Sequence, residues 1–277
     1  MPKKIEEKSV SKIITLPFPQ GVNFIKKEKN IATFEIEGLY PGYGITLGNA
    51  LRRVLLSSLE GAAVTSVKIK GVAHEFTTLP GILEDVVLIT LNLKKLRFKM
   101  NTTEPQILTI SKSGKGEVKG ADIKTTPEVE VVNKDQLIAT LTSEKAKIDM
   151  ELKVEKGIGY EPIEMREEKA KTIGEILLDA IFTPVRKVSF NVENMRVGKR
   201  TDFEKLTITI ETDGTITPKE AMEKAIKILL DQFNFILENI ETEQREKEEG
   251  KKEEEKKEEE KKEERVPHKK KTKKNKK

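Results

Sequence analysis

The 277-residue sequence predicts an α+β protein. Two segments, Thr46–Leu59 and Pro218–Ile240, carry apolar residues at three- and four-residue spacing, as helices with a buried stripe do. Between them, over about residues 62–182, short β-type runs are separated by Gly- and Asn-containing turns. Helical and β-type segments are thus both present, most of the β-type runs lying between the two helices.

The elements follow in order. Ile31–Glu37 alternates apolar and polar residues and reads as a strand. A turn rich in Gly and Pro leads into a helix starting near Thr46, where Leu47, Ala50, Leu51, Val54, Leu55 and Ser58 share one face. Leu56 and Leu59 widen the apolar surface, and Arg52 and Arg53 sit together in its middle. A helix this apolar needs cover on more than one side, which predicts a partner as well as a core. Gly42, Gly44 and Gly48 match neither a Walker loop, since Leu47-Gly48-Asn49 lacks Gly-Lys-Ser/Thr, nor G-x-G-x-x-G, since the third Gly comes one residue late. They are expected to serve a tight turn. Val64–Ile69, Leu108–Ile110, Val129–Val132, Leu137–Leu141 and Ile148–Val154 read as strands of the middle region. Val185–Val192 and Leu206–Glu211 are strands of the last region. Thr217-Pro218-Lys219-Glu220 combines a capping box with Pro at the first helical position. The helix it opens has a nearly heptad stripe of Met222, Ala225, Ile226, Leu229, Phe233, Ile236, Leu237 and Ile240, suited to packing on another helix. Burying a side chain such as Leu229 or Phe233 contributes about 1.5–3 kcal/mol. Periodicity alone leaves open whether the two helices pack within one chain or across a homodimer.

Composition excludes several classes. There is no Cys, hence no disulfide framework or thiolate zinc site, and His74 and His268 are too few for a histidine metal cluster. No stretch approaches the roughly 20 apolar residues of a membrane span, and the N-terminus lacks the apolar run of a signal peptide, so a cytoplasmic protein is expected. Residues 1–240 hold 36 basic and 34 acidic residues, too balanced for a basic nucleic-acid platform. GxSxG, HExxH and P-loop patterns are missing. Glu84-Asp85 is expected on a solvated face, and His74 is expected to be a hydrogen-bonded structural histidine beside a strand. The chain is expected to have no catalytic residues, metal or cofactor of its own.

Thr46-Leu47-Gly48-Asn49-Ala50-Leu51-Arg52-Arg53-Val54-Leu55-Leu56-Ser57-Ser58 resembles the signature helix of the bacterial RNA polymerase alpha subunit, N-terminal domain. Further segments agree in the family's order: Gly71–Phe76, Glu84–Val87, Leu91–Lys94, Phe182–Val185, Asn191–Glu193, Arg200–Phe203, Thr212–Ile216 and Pro218–Ala221. The resemblance covers about residues 10–240. It implies a discontinuous dimerisation domain, residues 1–61 with 183–240, interrupted by an inserted, mostly β domain at 62–182. It also implies a homodimer that nucleates assembly of the beta and beta-prime subunits of a nucleotidyltransferase. Carried over by residue, Arg53 and Leu56 would contact beta. Lys94, Leu178, Val185 and Arg196 fall at or near positions that bind the large subunits. Leu51, Leu55, Ile226, Leu229 and Phe233 are expected at the dimer interface. The alternative class is a free-standing dimeric adaptor of the same fold.

Most members of that family continue into a helical domain that binds promoter DNA. Here residues 241–277 form a charged, low-complexity segment whose only aliphatic residue is Val266, so no such domain and no core are expected in it. Residues 241–264 hold 8 bases and 13 acids, and residues 265–277 hold 8 bases and no acids. A disordered tail is expected; Glu253 with Lys257 and Glu258 with Lys262 could support a solvated helix, and the basic end could touch DNA non-specifically.

Overall fold

The computed structural model describes residues 16–165 and 174–263, with side chains through residue 240. In chain order the first elements are β1 (Gly21–Lys26), β2 (Ile31–Leu39), α1 (Tyr43–Ser57), β3 (Glu60–Ile69) and α2 (Val86–Leu93). The middle of the chain adds β4 (Phe98–Met100), β5 (Gln106–Ser113), β6 (Gly116–Lys119), β7 (Ile123–Lys124), β8 (Val129–Val131), β9 (Leu137–Leu141), β10 (Lys147–Ile158) and β11 (Tyr160–Glu161). Then follow β12 (Glu175–Leu177), β13 (Ala180–Ile181), β14 (Val185–Val197), β15 (Arg200–Thr212) and α3 (Pro218–Glu263). The result is a mixed α+β fold with a β-rich region inserted between the first and last segments.

A four-stranded antiparallel sheet has the order β1-β2-β15-β14. Its register aligns Phe24, Phe34, Ile208 and Phe190 across the four strands. This apolar face carries α1, which packs on β14 and β15. The opposite face is polar: Thr33 and Thr209 share a hydrogen bond of 3.0 Å, and Lys205 reaches Glu35 at 2.9 Å and Glu37 at 3.2 Å. An antiparallel sheet with one apolar and one polar face gives this alternation.

The inserted region builds a larger sheet, β7-β5-β10-β3-β4-β8, with β12 added against β3. Its core gathers Val67, Ile89, Leu93, Leu108 and Leu152, all without exposed surface. Two small ladders, β6-β9 and β11-β13, complete it. A buried ion pair links the two regions, Arg97 Nε to Asp213 Oδ2 at 3.3 Å. Arg97 stands beside β4, and Asp213 just after β15.

Two compact units are distinguished: the described residues up to Ile226, and the helix from Lys227 onward. In the second unit Leu230, Phe233, Phe235, Ile236, Leu237 and Ile240 are all exposed.

Local sequence explains most of these elements. α3 starts as expected: Thr217 Oγ1 accepts from the Glu220 N–H at 3.2 Å, and Glu220 accepts from the Thr217 N–H at 3.0 Å. Its backbone stays helical to Glu263, well past Ile240, where an irregular tail is expected; Glu–Lys pairs at i,i+4 spacing supply a reason. Residues 264–277, with the whole of the basic end, lie outside the described residues. β1 and α2 are findings of the structure alone. The α2 run VVLITLNL is apolar nearly throughout, and such a short run shows no period that separates helix from strand.

Candidate protein-binding surfaces

α1 is held at its start by a group remote in sequence. Gly42 takes the N-cap position at φ +88°, and no side chain next to it caps the helix. Instead Glu204 of β15 accepts from the Gly42 and Gly44 N–H groups, each at 2.8 Å. A carboxylate at the positive end of the helix dipole is well placed. Only Gly42 of the three glycines needs a left-handed backbone. Gly44 and Gly48 allow close approach: a Cβ would lie 2.7 Å from Val192 Cγ1 at the first, and 2.7 Å from the Phe190 ring at the second. The expectation of a turn therefore holds for one glycine, and packing explains the other two. Because Glu204 also anchors the helix start three residues before Thr46, the local sequence could not mark that boundary.

This close seat decides which side of α1 faces outward. Leu51 and Leu55 are 5% and 0% exposed within a single chain. Both, expected at a dimer interface, are buried in this chain's own core. Arg52 and Arg53 are exposed, and Leu56 is half-buried. Neither arginine has an ion-pair partner among the described residues. The Ser57 hydroxyl donates to the Arg53 carbonyl at 2.7 Å.

The other singled-out residues divide. Lys94, at the end of α2, pairs with Asp179 at 2.8 Å, and Asp179 also accepts from the Ile163 N–H at 3.1 Å. The hydrogen bond from Lys94 holds the Asp179 carboxyl below the usual carboxylate range. Leu178 and Val185 are both 2% exposed and belong to the interior, where a partner cannot reach them without opening the fold. Arg196 is exposed at the far end of β14 and donates to the Gly198 carbonyl at 2.9 Å. Val185 and Arg196 stand at opposite ends of one strand, about 35 Å apart at the usual rise per residue. The six candidate contact residues therefore do not form one site. Ile226 and Phe233 are 41% and 62% exposed, whereas Leu229 is half-buried.

Arg97 is a largely enclosed cation. Burial lowers its pKa; Asp213 opposes that shift and Arg186 adds to it. The Arg97 Nη1 donates to the Lys94 and Leu96 carbonyls at 3.0 and 3.1 Å, while its Nε makes only the ion-pair contact. Of the acidic pair Glu84-Asp85, Asp85 is exposed as expected and caps α2 by accepting from the Leu88 N–H at 2.7 Å, whereas half-buried Glu84 accepts from the Thr140 N–H and hydroxyl at 2.6 and 2.9 Å. His74 is exposed, with Nδ1 3.3 Å from the Thr77 hydroxyl, which also donates to the His74 carbonyl. Among the described residues no three acidic, His or Cys side chains are grouped to hold a metal ion, and no helix is long and apolar enough to cross a membrane.

Sequence reasoning missed two apolar surfaces. Leu88 and Leu91 stand out from α2 at 49% and 46% exposure. Ile158, Tyr160 and Ile181 are exposed at 57%, 60% and 38% beside β11 and β13. Each lies in a run whose apolar residues look like core, and no local signal tells an outward one apart.

Comparison with known proteins adds a consistent picture. Residues 67–183 match the family described as the RNA polymerase Rpb3/RpoA insert domain. The chain is 53% identical over 213 residues to the DNA-directed RNA polymerase subunit alpha of Lawsonia intracellularis, covering 76% of this chain and 61% of that one. It is 45% identical over 228 residues to the subunit of the same name from Aquifex aeolicus, covering 82% of this chain and 71% of that one. It is 52% identical over 204 residues to the one from Nitratidesulfovibrio vulgaris, covering 74% and 58%. The match to two of these three relatives thus spans less than two thirds of their length.

Proposed function

The chain belongs to the family of DNA-directed RNA polymerase alpha subunits, and on that premise we propose that it is the homodimeric scaffold on which the polymerase's large subunits assemble. The division of α1 into two faces supports this reading. One face is locked to the sheet by Glu204, Gly44 and Gly48, so the other presents Arg52 and Arg53 from a rigid base. A guanidinium without an ion-pair partner, on a rigid element, suits a partner carboxylate, and arginine is enriched among interface hot spots.

In this reading Arg53 and Leu56 contact beta, and Lys94 and Arg196 serve the large subunits from the surface. Leu178 and Val185 act by supporting the fold beneath those contacts. The dimer rests on α3, whose outward Phe233, Ile236, Leu237 and Ile240 form an apolar row needing cover. Ile226 and Leu229 extend that row, whereas Leu51 and Leu55 stiffen α1 from within. Residues 1–61 with 183–240 make the dimerisation domain, residues 62–182 the inserted domain, and the protein works in the cytoplasm. Nucleotidyl transfer belongs to the assembled complex.

The test is co-expression with the organism's own beta subunit, followed by size-exclusion chromatography with light scattering. A dimer that captures beta is expected. Removing one partner of a desolvated pair costs about 2–5 kcal/mol, so Arg53→Ala should weaken capture at least about thirtyfold. A dimer that ignores beta would point to the free-standing adaptor, and a monomer would remove the dimer from the proposal.

A further inference from the structure

The C-terminal end of α1 abuts a part of the inserted region that no sequence feature connects to it. Gly159 has φ +70°, and a Cβ on it would come within 3.2 Å of the Ser57 carbonyl. The chain on either side of Gly159 therefore starts where the last turn of α1 stops. Ile158 pairs with Glu60, the residue that opens β3 just after α1. Tyr160 lies opposite Ile181 in the β11-β13 ladder, and directly opposed residues point to the same side. Phe182 holds this corner in place: its N–H donates to the Gly159 carbonyl at 2.9 Å, and its ring covers Gly157.

The outcome is a continuous strip. Its observed joints are the Ser57 carbonyl beside Gly159, one helical turn after Arg53, and the Tyr160–Ile181 pair that follows Gly159. Three large apolar side chains from two separated stretches of sequence are exposed together there, at 57%, 60% and 38%. Clustered exposed apolar side chains mark association surfaces, and tyrosine and arginine are the residue types that most often dominate them.

We infer that the β11-β13 ladder with Ile158 is the apolar half of the surface whose cationic half is Arg53, and that the beta subunit covers both together. This rests on the reading of the chain as an assembly scaffold. Charge selects the occupant. Arg52 and Arg53 lack a carboxylate within the described residues, so the covering surface must bring an acidic group to one end and apolar side chains to the other. A second copy of this chain has the more extended apolar row of α3 for self-association.

The experiment titrates the purified full-length dimer with its own beta subunit, comparing the wild type with Tyr160→Ser, Ile181→Ser, Arg53→Ala and Ile107→Ser. Ile107 is 64% exposed on β5, away from the strip, and serves as the control. Dimer mass and melting temperature are recorded for each variant. The inference expects Tyr160→Ser and Ile181→Ser each to weaken beta binding about tenfold or more, with dimer mass and melting unchanged and Ile107→Ser within about twofold of wild type. If Arg53→Ala weakens binding while both ladder variants stay within about twofold, the scaffold reading survives and the inference is overturned. Loss of the dimer in the ladder variants would assign the strip to a second copy and overturn it as well. A wild-type dimer with no affinity for beta would sink the scaffold reading, and the inference with it.

Discussion

Arg97 and Asp213 tie the inserted region to the four-stranded sheet through a pair that is 15% and 3% exposed at the side chains. Removing one member of a buried pair leaves an uncompensated charge and costs about 3–5 kcal/mol. Arg97→Met should therefore destabilise the chain by about 3 kcal/mol in a denaturant titration, although methionine fills much of the same space. Asp179 makes a prediction in pH. Its carboxyl titrates below the ordinary range because Lys94 donates to it, so its contribution is present above the unfolded-state pKa of about 4 and is lost as pH falls through the folded value. Unfolding midpoints measured at pH 7 and pH 3 should differ less in Asp179→Asn than in the wild type. Neither pair was legible in sequence: Arg97 and Asp213 are 116 positions apart, and a lone Arg or Asp gives no sign of its partner.

At the scale of elements, the glycines of α1 matter more than helix propensity. Alanine at position 48 is the better helix former by about 1 kcal/mol, yet its Cβ would meet three atoms of the Phe190 ring within 3.1 Å. Gly48→Ala should destabilise the protein by about 1–3 kcal/mol in thermal or chemical unfolding, because overpacking outweighs propensity. The apolar stripe of α1, the capping box of α3 and strand β9 were legible from periodicity and local chemistry. What periodicity could not supply was direction. Leu51 and Leu55 carry the same signal whether they face a sheet of their own chain or a second copy, and only the seat made by Gly44 and Gly48 decides between them. The capping of α1 by Glu204 was equally hidden, since the acceptor lies 160 residues from the Gly44 amide it binds.

For the molecule as a whole, self-association is expected to depend on α3. Phe233→Asp puts a charge in the middle of its outward apolar row, and light scattering should then report a monomer whose melting temperature stays close to that of the parent, because Phe233 is 62% exposed within one chain. The sheet order has a different consequence. β2 takes its second neighbour from β15, so residues 31–39 must wait for residues 200–212. The main ladder of the inserted region, by contrast, draws all its strands from residues 60–177. On the ribosome the chain emerges from its N-terminus, and units fold as their segments become available. The inserted sheet can therefore close while β15 is still unsynthesised, and the β1-β2 hairpin, too small to be stable alone, stays open through most of translation. The Arg53 helix, which is clamped by a residue of β15, acquires its seat only near the end of synthesis. A nascent chain thus cannot present that helix in finished form before nearly all of the folded body has been made.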